Sequence, residues 1–485
     1  MKTLVIDPIT RLEGHGKIKI FLDDQGEVLR AVFQVPELRG FEAFCAGRPA
    51  EEMPQITSRI CGVCPTAHHM ASAVTLDDLY RVEPPPAARA IRELIYHAFV
   101  VEDHALHFFF LGGPDLFVGP SAPKLERNVL GLIATVGQEI ATQVITMRRR
   151  LRELIASLGG KVIHPVYGLP GGVAKAVAEG QRSQIQELAR DTLLFARFSL
   201  ELFHSRILKG GSFLEALRAD RHRHQTHYMG VVDQKNCLSF CGGQIRVVGP
   251  DGAERAKFSP RDYARYIGEH VEEWTYVKFP YLREPGWRGF VDGADSGVYR
   301  VAPLARLNVS DGLATPAAQV EFLRFYETLG ERPAHNLMAN HWARLIEMLY
   351  AAERLVELGN APELTSTDIR NMGFCTPVEG FGVVEAPRGT LLHHYQTDER
   401  GVLTACHLLV ATQGNTAAIC MSVEKAAKAL IHRGVVDDGL LNQVEMAFRA
   451  YDPCLACSTH AHPSQPSLLL ELVRPDGTVI RSVPR

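Results

Sequence analysis

The sequence lacks the features that mark membrane, secreted and nucleic-acid-binding proteins. No apolar run approaches the ~18 residues that a membrane-spanning helix needs, and the opening residues MKTLVIDPITRLEGHG contain no apolar stretch of secretory length. The net charge is −3, and the basic segment Met147–Glu153, MRRRLRE, is typical of a solvated helix face. We therefore expect a cytoplasmic protein that neither spans a membrane nor binds nucleic acid.

Two further classes of motif are missing. No G-x-G-x-x-G follows a predicted strand and no phosphate-binding P-loop occurs, so a dinucleotide has no evident site on this chain. The ten cysteines are too few among 485 residues for a disulfide scaffold, and they do not form the ligand runs of iron–sulfur clusters. In a reducing compartment, cysteines that cluster indicate metal binding or redox chemistry instead.

The sequence does contain long helical segments mixed with short hairpins. Alternating apolar and polar residues around turns predict antiparallel hairpins within residues 16–35, 241–258, 390–411 and 467–483. Helices are predicted over residues 87–111, 128–158, 336–358 and 440–450, and the Gly/Pro-rich residues 285–297 are predicted to form a loop. The fold class is therefore α+β and predominantly helical, with a long-helix core and peripheral antiparallel β-hairpins.

One predicted helix, residues 336–358, carries an apolar stripe at helical spacing. Such a stripe is typical of a helix that faces the core. The stripe consists of Met338, Trp342, Leu345, Leu349, Ala352 and Val356.

Two pairs of cysteines carry the strongest chemical signal. Cys61 and Cys64 stand in RICGVCPTAHH, Cys454 and Cys457 stand in DPCLACSTH, and a histidine follows each pair. Because a turn of chain brings positions i and i+3 together, each pair can direct two sulfurs at one ion. Binding an ion deprotonates the thiols, which otherwise titrate near ~8.5.

Three interpretations of these pairs compete. Structural zinc usually joins pairs that lie roughly 15–20 residues apart within one small module, whereas these pairs lie near opposite ends of the chain. Redox dithiols of the thioredoxin type need a βαβ context, which the sequence does not show. We favour the third interpretation, a catalytic transition metal that joins the first and last parts of the core. Four soft sulfurs favour nickel, iron, copper or zinc over hard ions.

The residues that flank both pairs resemble the two signature motifs of the large subunit of [NiFe] hydrogenases. The resemblance extends to DPITRLEGHG at Asp7, RGFE at Arg39, DHALHFF at Asp103 and EAPRGTLLHHY at Glu385. The segment VEEWTYVKFPYL at Val271 is similar to the cytosolic, bidirectional, NAD-linked branch. The resemblance runs nearly end to end and implies the [NiFe]-hydrogenase large-subunit fold and reversible cleavage of H2.

The resemblance also implies the metal ligands. Cys61, Cys64, Cys454 and Cys457 would hold nickel, and the second cysteine of each pair would bridge to an iron that carries cyanide and carbon monoxide. At two positions after the valine that follows Leu408 and Leu409, many relatives carry a proline and a serine. This sequence has Ala411 and Thr412 instead, so of these two residues only Thr412 offers a polar contact to the ligands on the iron. The residues expected to surround the cofactor are Pro387, Leu391, Val410, Ala411 and Thr412.

Splitting H2 requires a Lewis acid and a base close together, because H2 is a very weak acid. The resemblance places the guanidinium of Arg388 over the open site, with Asp103 and Asp452 as carboxylates that orient it. It makes Glu13 the first proton acceptor beyond a terminal cysteine, and His68 a donor to a cysteine sulfur. Without the resemblance, an arginine, a helix aspartate or a turn glutamate of this kind is more often an ordinary ion pair or cap.

A magnesium ion is expected near the second cysteine motif. The resemblance implies Glu42, His460 and the carbonyl of Leu408 as its protein ligands, and magnesium keeps several waters, so few protein ligands suffice. The histidines at 69, 104 and 107 are expected to pack or to form hydrogen bonds. The cysteines at 45, 375, 406 and 420 are expected to be buried small hydrophobes, and the cysteines at 237 and 241 have no assigned role.

The resemblance also describes the organisation of the chain and its partners. Residues 1–460 would form one catalytic domain, and residues 461–485 an extension that a maturation protease removes after a nickel chaperone has loaded the metal. Electrons would leave through an iron–sulfur small subunit to flavin- and NAD-binding diaphorase subunits. The alternatives are a non-catalytic scaffold of the same fold, a subunit that senses H2, and a hydrogenase with another electron acceptor.

Overall fold

Helices form most of the regular structure. The computed structural model describes residues 2–459, 469–474 and 478–484. Its α-helices are α1 (Phe41–Cys45), α2 (Met53–Thr57), α3 (Pro65–Leu79), α4 (Pro86–Leu106), α5 (Val129–Val136), α6 (Gln138–Gly159), α7 (Glu179–Leu202), α8 (Ser212–Arg218), α9 (Tyr263–Tyr266), α10 (Pro303–Val309), α11 (Pro316–Leu329), α12 (Asn340–Asn360), α13 (Thr416–Leu430), α14 (Asp438–Arg449) and α15 (Leu455–Ser458).

The strands form small sheets. They are β1 (Lys2–Ile6), β2 (Lys17–Leu22), β3 (Val28–Gln34), β4 (Gly168–Leu169), β5 (Gly172–Val173), β6 (His227–Val232), β7 (Gln244–Val248), β8 (Glu254–Phe258), β9 (Ile267–His270), β10 (Phe279–Leu282), β11 (Tyr299–Arg300), β12 (Glu379–Ala386), β13 (Gly389–Thr397), β14 (Leu403–Leu409), β15 (Leu469–Val473) and β16 (Val479–Pro484). Within each sheet the orders are β1-β2-β3, β11-β6-β7-β8, β12-β13-β14, β10-β9, β15-β16 and β4-β5. Among these strands of the described residues, β11 and β6 pair in parallel and the other neighbours pair antiparallel.

All four predicted hairpins are confirmed, as β2–β3, β7–β8, β13–β14 and β15–β16. The predicted α+β fold class, predominantly helical with antiparallel hairpins, is confirmed as well. One further hairpin, β12–β13, lies largely in the interior, because most of its residues, including all of those next to the turn, are buried. Its turn therefore delivers side chains into the core rather than to the surface.

The core is built around α12, which packs on α4, α7, α10 and α11. The predicted apolar stripe is confirmed along α12 and the short 3₁₀ turn before it, which contains Met338. Five of its members are at most 2% exposed, and Val356 packs against the core while partly exposed. A single cluster of buried apolar residues extends from Ile9 to Cys457. Both cysteine pairs are therefore part of one continuous core.

Two predictions about helices were wrong in part. The helix predicted over residues 128–158 is broken at Gly137, whose φ of 96° lies in a region that favours glycine, and α5 and α6 are bent by 119° there. The Met147–Glu153 segment is not simply a solvated face, because Arg148 and Arg152 both bind the buried carboxylate of Glu102.

No single helix in the described part of the chain is both long and apolar enough to cross a membrane. The bent pair α5 and α6 meets the criteria of length and composition when the two helices are taken together.

Close packing of α3 on β12 joins the first cysteine motif to the buried hairpin. A Cβ atom at Gly382 would lie 2.4 Å from Thr75 Oγ1 and 2.6 Å from the carbonyl oxygen of Ala71. Only glycine leaves room for this approach. As Cys64 directly precedes α3 and Arg388 lies in the turn after β12, the contact brings both residues to one place.

Candidate metal centre

Four cysteine side chains from the two ends of the core converge. Cys61 follows a short 3₁₀ turn, Cys64 caps α3, Cys454 precedes α15 and Cys457 lies within it. Their Sγ atoms all lie within 4.8 Å of one another, and all four residues are buried. The sulfur convergence predicted from the two C-x-x-C motifs is thus present in the structure.

The thiols contact one another directly. The Sγ–Sγ distance is 3.2 Å between Cys61 and Cys454, 3.3 Å between Cys64 and Cys457, and 2.9 Å between Cys454 and Cys457. Burial raises the pKa of the Cys454 and Cys457 thiols. Burial also opposes ionisation of Cys61, but hydrogen bonds from the other thiols outweigh it and lower the Cys61 pKa. Four thiolates at this spacing would therefore require a cation to compensate their charge.

Glu13 lies beside Cys454, as the resemblance implied. The two residues form a parallel β-bridge, and the amide of Leu455 donates to the Glu13 carbonyl at 3.0 Å. The Cys454 thiol donates to Glu13 Oε2 at 2.9 Å, and the amide of Ala456 donates to the same oxygen at 3.1 Å. Burial, followed by the negative charge of Cys61, raises the Glu13 pKa. The Glu13 carboxylate is therefore buried and hydrogen-bonded to one sulfur of the cluster.

Arg388 is held between two carboxylates next to the sulfurs. Its Nη1 lies 3.1 Å from Asp103 Oδ2 and its Nη2 lies 3.0 Å from Asp452 Oδ2. Burial lowers the Arg388 pKa, but the two carboxylates outweigh burial and raise it well above its usual value. Burial raises the pKa of Asp452 to about 7. Arg388 therefore stays positively charged in a site that is almost fully enclosed, with the side chain 3% exposed.

His68 contacts the second motif rather than its own. Its Nε2 lies 3.4 Å from Cys457 Sγ, and its Nδ1 lies 3.3 Å from Nε2 of His393. The chain continues from His393 Nδ1 to the hydroxyl of Tyr395 at 2.7 Å, and from there to Ser72 Oγ at 2.9 Å. The predicted contact between His68 and a cysteine sulfur is present.

A small cavity adjoins the sulfurs on the side of Arg388. Leu391, Val410, Ala411 and Thr412 line it, as predicted, together with Arg388 and three of the cysteines. The Thr412 hydroxyl accepts from the Cys454 amide at 3.0 Å. The fifth predicted residue, Pro387, lies in the β12–β13 turn, where its carbonyl accepts from Arg306 at 3.0 Å.

Two of the predicted magnesium ligands lie together. The amide of Leu408, near the end of β14, donates to Glu42 Oε1 at 2.7 Å, so this carboxylate on α1 is adjacent to the Leu408 backbone. The third predicted ligand, His460, lies outside the described residues.

Comparison with known proteins identifies the family. Residues 39–126 and 257–460 match the nickel-dependent hydrogenase family, and residues 3–38 match a family described as HoxL-like. This chain belongs to the nickel-dependent hydrogenase family. The iron-sulfur subunit of the F420-non-reducing hydrogenase from Archaeoglobus profundus is 44% identical, over 100% of this chain and 99% of that protein.

Two further similarities concern NAD-reducing hydrogenases. The crystal structure of an NAD+-reducing [NiFe]-hydrogenase in the H2-reduced state superimposes with a TM-score of 0.88 at 38% identity, over 95% of this chain and 100% of that one. The NAD-reducing hydrogenase HoxS subunit beta of Cupriavidus necator is 36% identical, over 96% of both chains. The [NiFe]-hydrogenase large-subunit fold predicted from the sequence is therefore confirmed.

The donor set of this hydrogenase subunit fits a nickel site. Four thiolates are soft ligands that suit nickel and iron, and their spacing lets all four reach one ion. Without a cation, burial would keep most of these thiols protonated.

The other cysteines of the hydrogenase divide into three groups. Cys45 and Cys420 are buried as predicted, whereas the prediction was wrong for Cys406, which is half-buried, and for Cys375, which is exposed. Cys237 and Cys241, which had no assigned role, are half-buried. Cys375 lies in the irregular segment before β12, where its amide donates to the Tyr80 carbonyl at 2.9 Å.

Three histidines of the hydrogenase serve packing and hydrogen bonding, as predicted. His69 accepts from the amides of Tyr167 and Gly168 at 3.2 and 2.8 Å. His104 donates to Glu347 at 2.9 Å, and His107 to the Arg449 carbonyl at 2.8 Å. Burial lowers the pKa of all three.

Sequence reasoning missed several polar residues that support the Arg388 turn. Arg306, Glu347 and Asn415 are all at most 1% exposed, and none stands in a recognised motif. The available signal was a pair of charges, Arg344 and Glu347, within the α12 segment that the apolar stripe marks as core. A charge at such a position needs a buried partner.

Proposed function

We propose that this chain catalyses the reversible heterolytic cleavage of H2 at a nickel–iron centre. The convergence of four buried sulfurs within 4.8 Å of one another supports this proposal, together with a buried arginine between two carboxylates beside them. When bound, the metal centre supplies the Lewis acidity that makes H2 acidic enough to split.

Residues around the proposed metal centre would supply a fixed positive charge, a proton acceptor and a hydrogen-bond donor to a sulfur. Arg388, fixed by Asp103 and Asp452, presents a permanent positive charge and fork-shaped donors to the cavity beside the sulfurs. Glu13 accepts the proton that leaves through the Cys454 sulfur, to which it is already hydrogen-bonded. His68 orients the Cys457 sulfur through its Nε2.

The composition of the centre extends this proposal. We propose that Cys61, Cys64, Cys454 and Cys457 bind nickel and that Cys64 and Cys457 bridge to iron. Leu391, Val410, Ala411 and Thr412, which line the cavity, would surround the cyanide and carbon monoxide on the iron. Glu42, the Leu408 carbonyl and His460 would hold magnesium, supported by the contact between Glu42 and the Leu408 backbone.

The electron acceptor is proposed from the comparisons and from the cysteine pattern. No run of cysteines suits an iron–sulfur cluster, so electrons would pass to a small subunit that carries such clusters. NAD, bound on flavin-containing diaphorase subunits, is the acceptor favoured by the similarity to NAD-reducing hydrogenases. A second candidate is an acceptor other than NAD and F420, because a 44% identical relative is named as F420-non-reducing.

Maturation and location complete the proposal. Residues 1–460 would form the single catalytic domain, and a protease would remove residues 461–485 after a chaperone has delivered nickel. The enzyme would work in the cytoplasm. Intact-mass measurement on active enzyme tests the processing step, and a large subunit that still ends at residue 485 would contradict it.

A metal assay and a turnover assay test the central proposal. The purified complex should contain about one nickel per large subunit, and it should reduce a viologen dye with H2. About one iron should remain with the large subunit after it is separated from the small subunit, which carries iron of its own. Replacing Cys64 by serine should abolish nickel binding, whereas Cys375→Ser, which alters an exposed thiol, should leave it unchanged. A complex that lacks nickel would support the scaffold alternative, and one with both metals but no turnover would support a sensor. Supplying NAD or F420 in place of the dye then identifies the acceptor.

A further inference from the structure

Arg388 lies at the tip of the buried β12–β13 hairpin, and side chains hold three successive carbonyl groups of that tip. Arg306 on α10 donates from Nη1 to the carbonyl of Ala386 at 2.7 Å and from Nη2 to the carbonyl of Pro387 at 3.0 Å. Asn415 donates from Nδ2 to the carbonyl of Arg388 at 2.9 Å. Since a buried carbonyl must find a donor, these bonds determine how the tip sits in the core.

Glu347 on α12 holds Arg306 in the orientation that these bonds require. Arg306 Nε donates to Glu347 Oε1 and its Nη2 donates to Oε2, both at 2.6 Å. Both side chains are 0% exposed, so neither has water as an alternative partner. Two parallel bonds between a guanidinium and a carboxylate fix direction as well as distance.

The same carboxylate also binds the helix that carries the partner of Arg388. His104 on α4 lies 2.9 Å from Glu347 Oε2 through its Nε2. Burial raises the Glu347 pKa, but the positive charge of Arg306 outweighs burial and lowers it overall. Glu347 is therefore ionised, so its carboxylate accepts the hydrogen bond and His104 donates it. His104 directly follows Asp103, which pairs with Arg388 at 3.1 Å. Glu347 therefore connects both sides of the Arg388–Asp103 ion pair.

One turn earlier on α12, Arg344 contacts the segment that leads to Asp452, the second carboxylate that pairs with Arg388. Its Nη2 donates to the carbonyl of Ala450 at 3.2 Å, and the chain proceeds from there to Asp452. Arg344 and Glu347 are both 0% exposed. The helix thus contacts the segments that carry Asp103 and Asp452 directly, and it reaches the segment that carries Arg388 through Arg306.

We infer that Glu347 is a positioning residue for Arg388, which acts through Arg306 on the hairpin tip and through His104 on the helix that carries Asp103. This inference rests on the proposed function in assigning Arg388 to H2 cleavage. The geometry of the connection does not depend on that assignment.

The matched test compares Glu347→Gln with Glu353→Gln on the same helix. Glu353 is also buried, but its two carboxylate oxygens accept from the amides of Ala317 and Ala318 at the start of α11, both at 2.9 Å. In hydrogen-exchange mass spectrometry of the metal-loaded complex, Glu347→Gln should increase exchange about 10-fold or more in residues 386–392. Glu353→Gln should increase exchange only at the start of α11.

Turnover provides the second readout. Glu347→Gln should lower kcat by about 10- to 100-fold, the effect of a small misplacement of a reacting group, with KM for H2 within about twofold and nickel content unchanged. Glu353→Gln should keep kcat. In a double-mutant cycle, adding Glu347→Gln to Arg388→Lys should lower kcat little further, because both substitutions act on the same guanidinium. Glu353→Gln added to Arg388→Lys should likewise leave the Arg388→Lys rate unchanged.

Several outcomes would overturn the inference. They are an unchanged exchange rate at residues 386–392, a wild-type kcat in Glu347→Gln, and full additivity with Arg388→Lys. Wild-type turnover in Arg388→Lys would instead contradict the proposed function of Arg388, and the exchange experiment would still decide the positioning role.

If Glu347→Gln does not accumulate as folded protein, Arg306→Lys takes its place, because lysine keeps the charge but cannot span two carbonyls. Unchanged exchange in that variant would be equally decisive.

Discussion

At the scale of single residues, the site combines a group that is held in its charged form with a group that burial shifts toward its neutral form. Arg388 is kept charged by two carboxylates although it is buried, whereas burial raises the pKa of Glu13 beside a thiol. The proposed proton transfer uses both groups, a fixed cation and a proton acceptor of raised pKa.

Glu13→Gln tests the role of this acceptor. The amide keeps the shape of the side chain but cannot take up a proton, so we expect turnover with H2 to fall by about 10²- to 10⁴-fold. Nickel content, measured by mass spectrometry, should not change, because Glu13 contributes no sulfur. Glu27→Gln, at an exposed glutamate that pairs with His432, is the control and should retain full activity. Comparable losses in both variants would refute the assignment.

Residue identity alone predicted only part of this site. The four cysteines could be paired from spacing, because soft donors at i and i+3 imply a shared ion. The convergence of Arg388, Asp103 and Asp452 came from the resemblance, since no local pattern shows that a turn, a helix and a loop meet in space. Glu347 was missed because a charged residue within a helix is more often solvent-exposed, and only the fold shows that it is buried.

At the scale of elements, glycines decide which helices and strands can approach. The prediction of one helix over residues 128–158 failed because Gly137 lies within an otherwise helical pattern, and a single glycine does not by itself show whether a helix continues. The hairpins were predicted well, because alternation and turn residues are local signals. The packing of α3 on β12 depends on contacts far apart in sequence, which such signals do not contain.

Gly382→Ala should separate α3 from β12. The added Cβ would lie 2.4 Å from Thr75 Oγ1, so we expect a loss of about 1–3 kcal/mol in the free energy of unfolding. Nickel binding should weaken too, because Cys64 precedes α3. The measurements are guanidinium denaturation and nickel content per chain.

Gly180→Ala is the matched control for this change. An added Cβ at Gly180, in the first turn of α7, meets no atom within 4 Å, so stability should rise slightly or stay the same. Equal destabilisation by both substitutions would show that close packing at Gly382 is not the cause.

At the scale of the whole molecule, stability depends on many histidines that are buried in the neutral form. Burial lowers the pKa of His69 to about 4, and that of His97, His222 and His341 to about 3. In the unfolded chain, histidine titrates near ~6.5. Below this pH the unfolded chain binds protons at these histidines, whereas the folded chain does not. Stability is therefore lost as pH falls.

The free energy of unfolding should fall from about pH 6 to about pH 4.5, by up to ~1.4 kcal/mol per pH unit for each such histidine. Guanidinium midpoints across this range measure the slope. His97→Gln should reduce the slope, whereas His15→Gln, at a side chain that is 78% exposed, should not. A midpoint that stays constant or rises on acidification would contradict this account.

The sulfur atoms of Cys61 and Cys454 lie 3.2 Å apart although 393 positions separate them in sequence. While the ribosome is still making this chain, an incoming nickel ion could find only half of its ligands. Delivery of a metal to the complete site must therefore follow translation of the last motif.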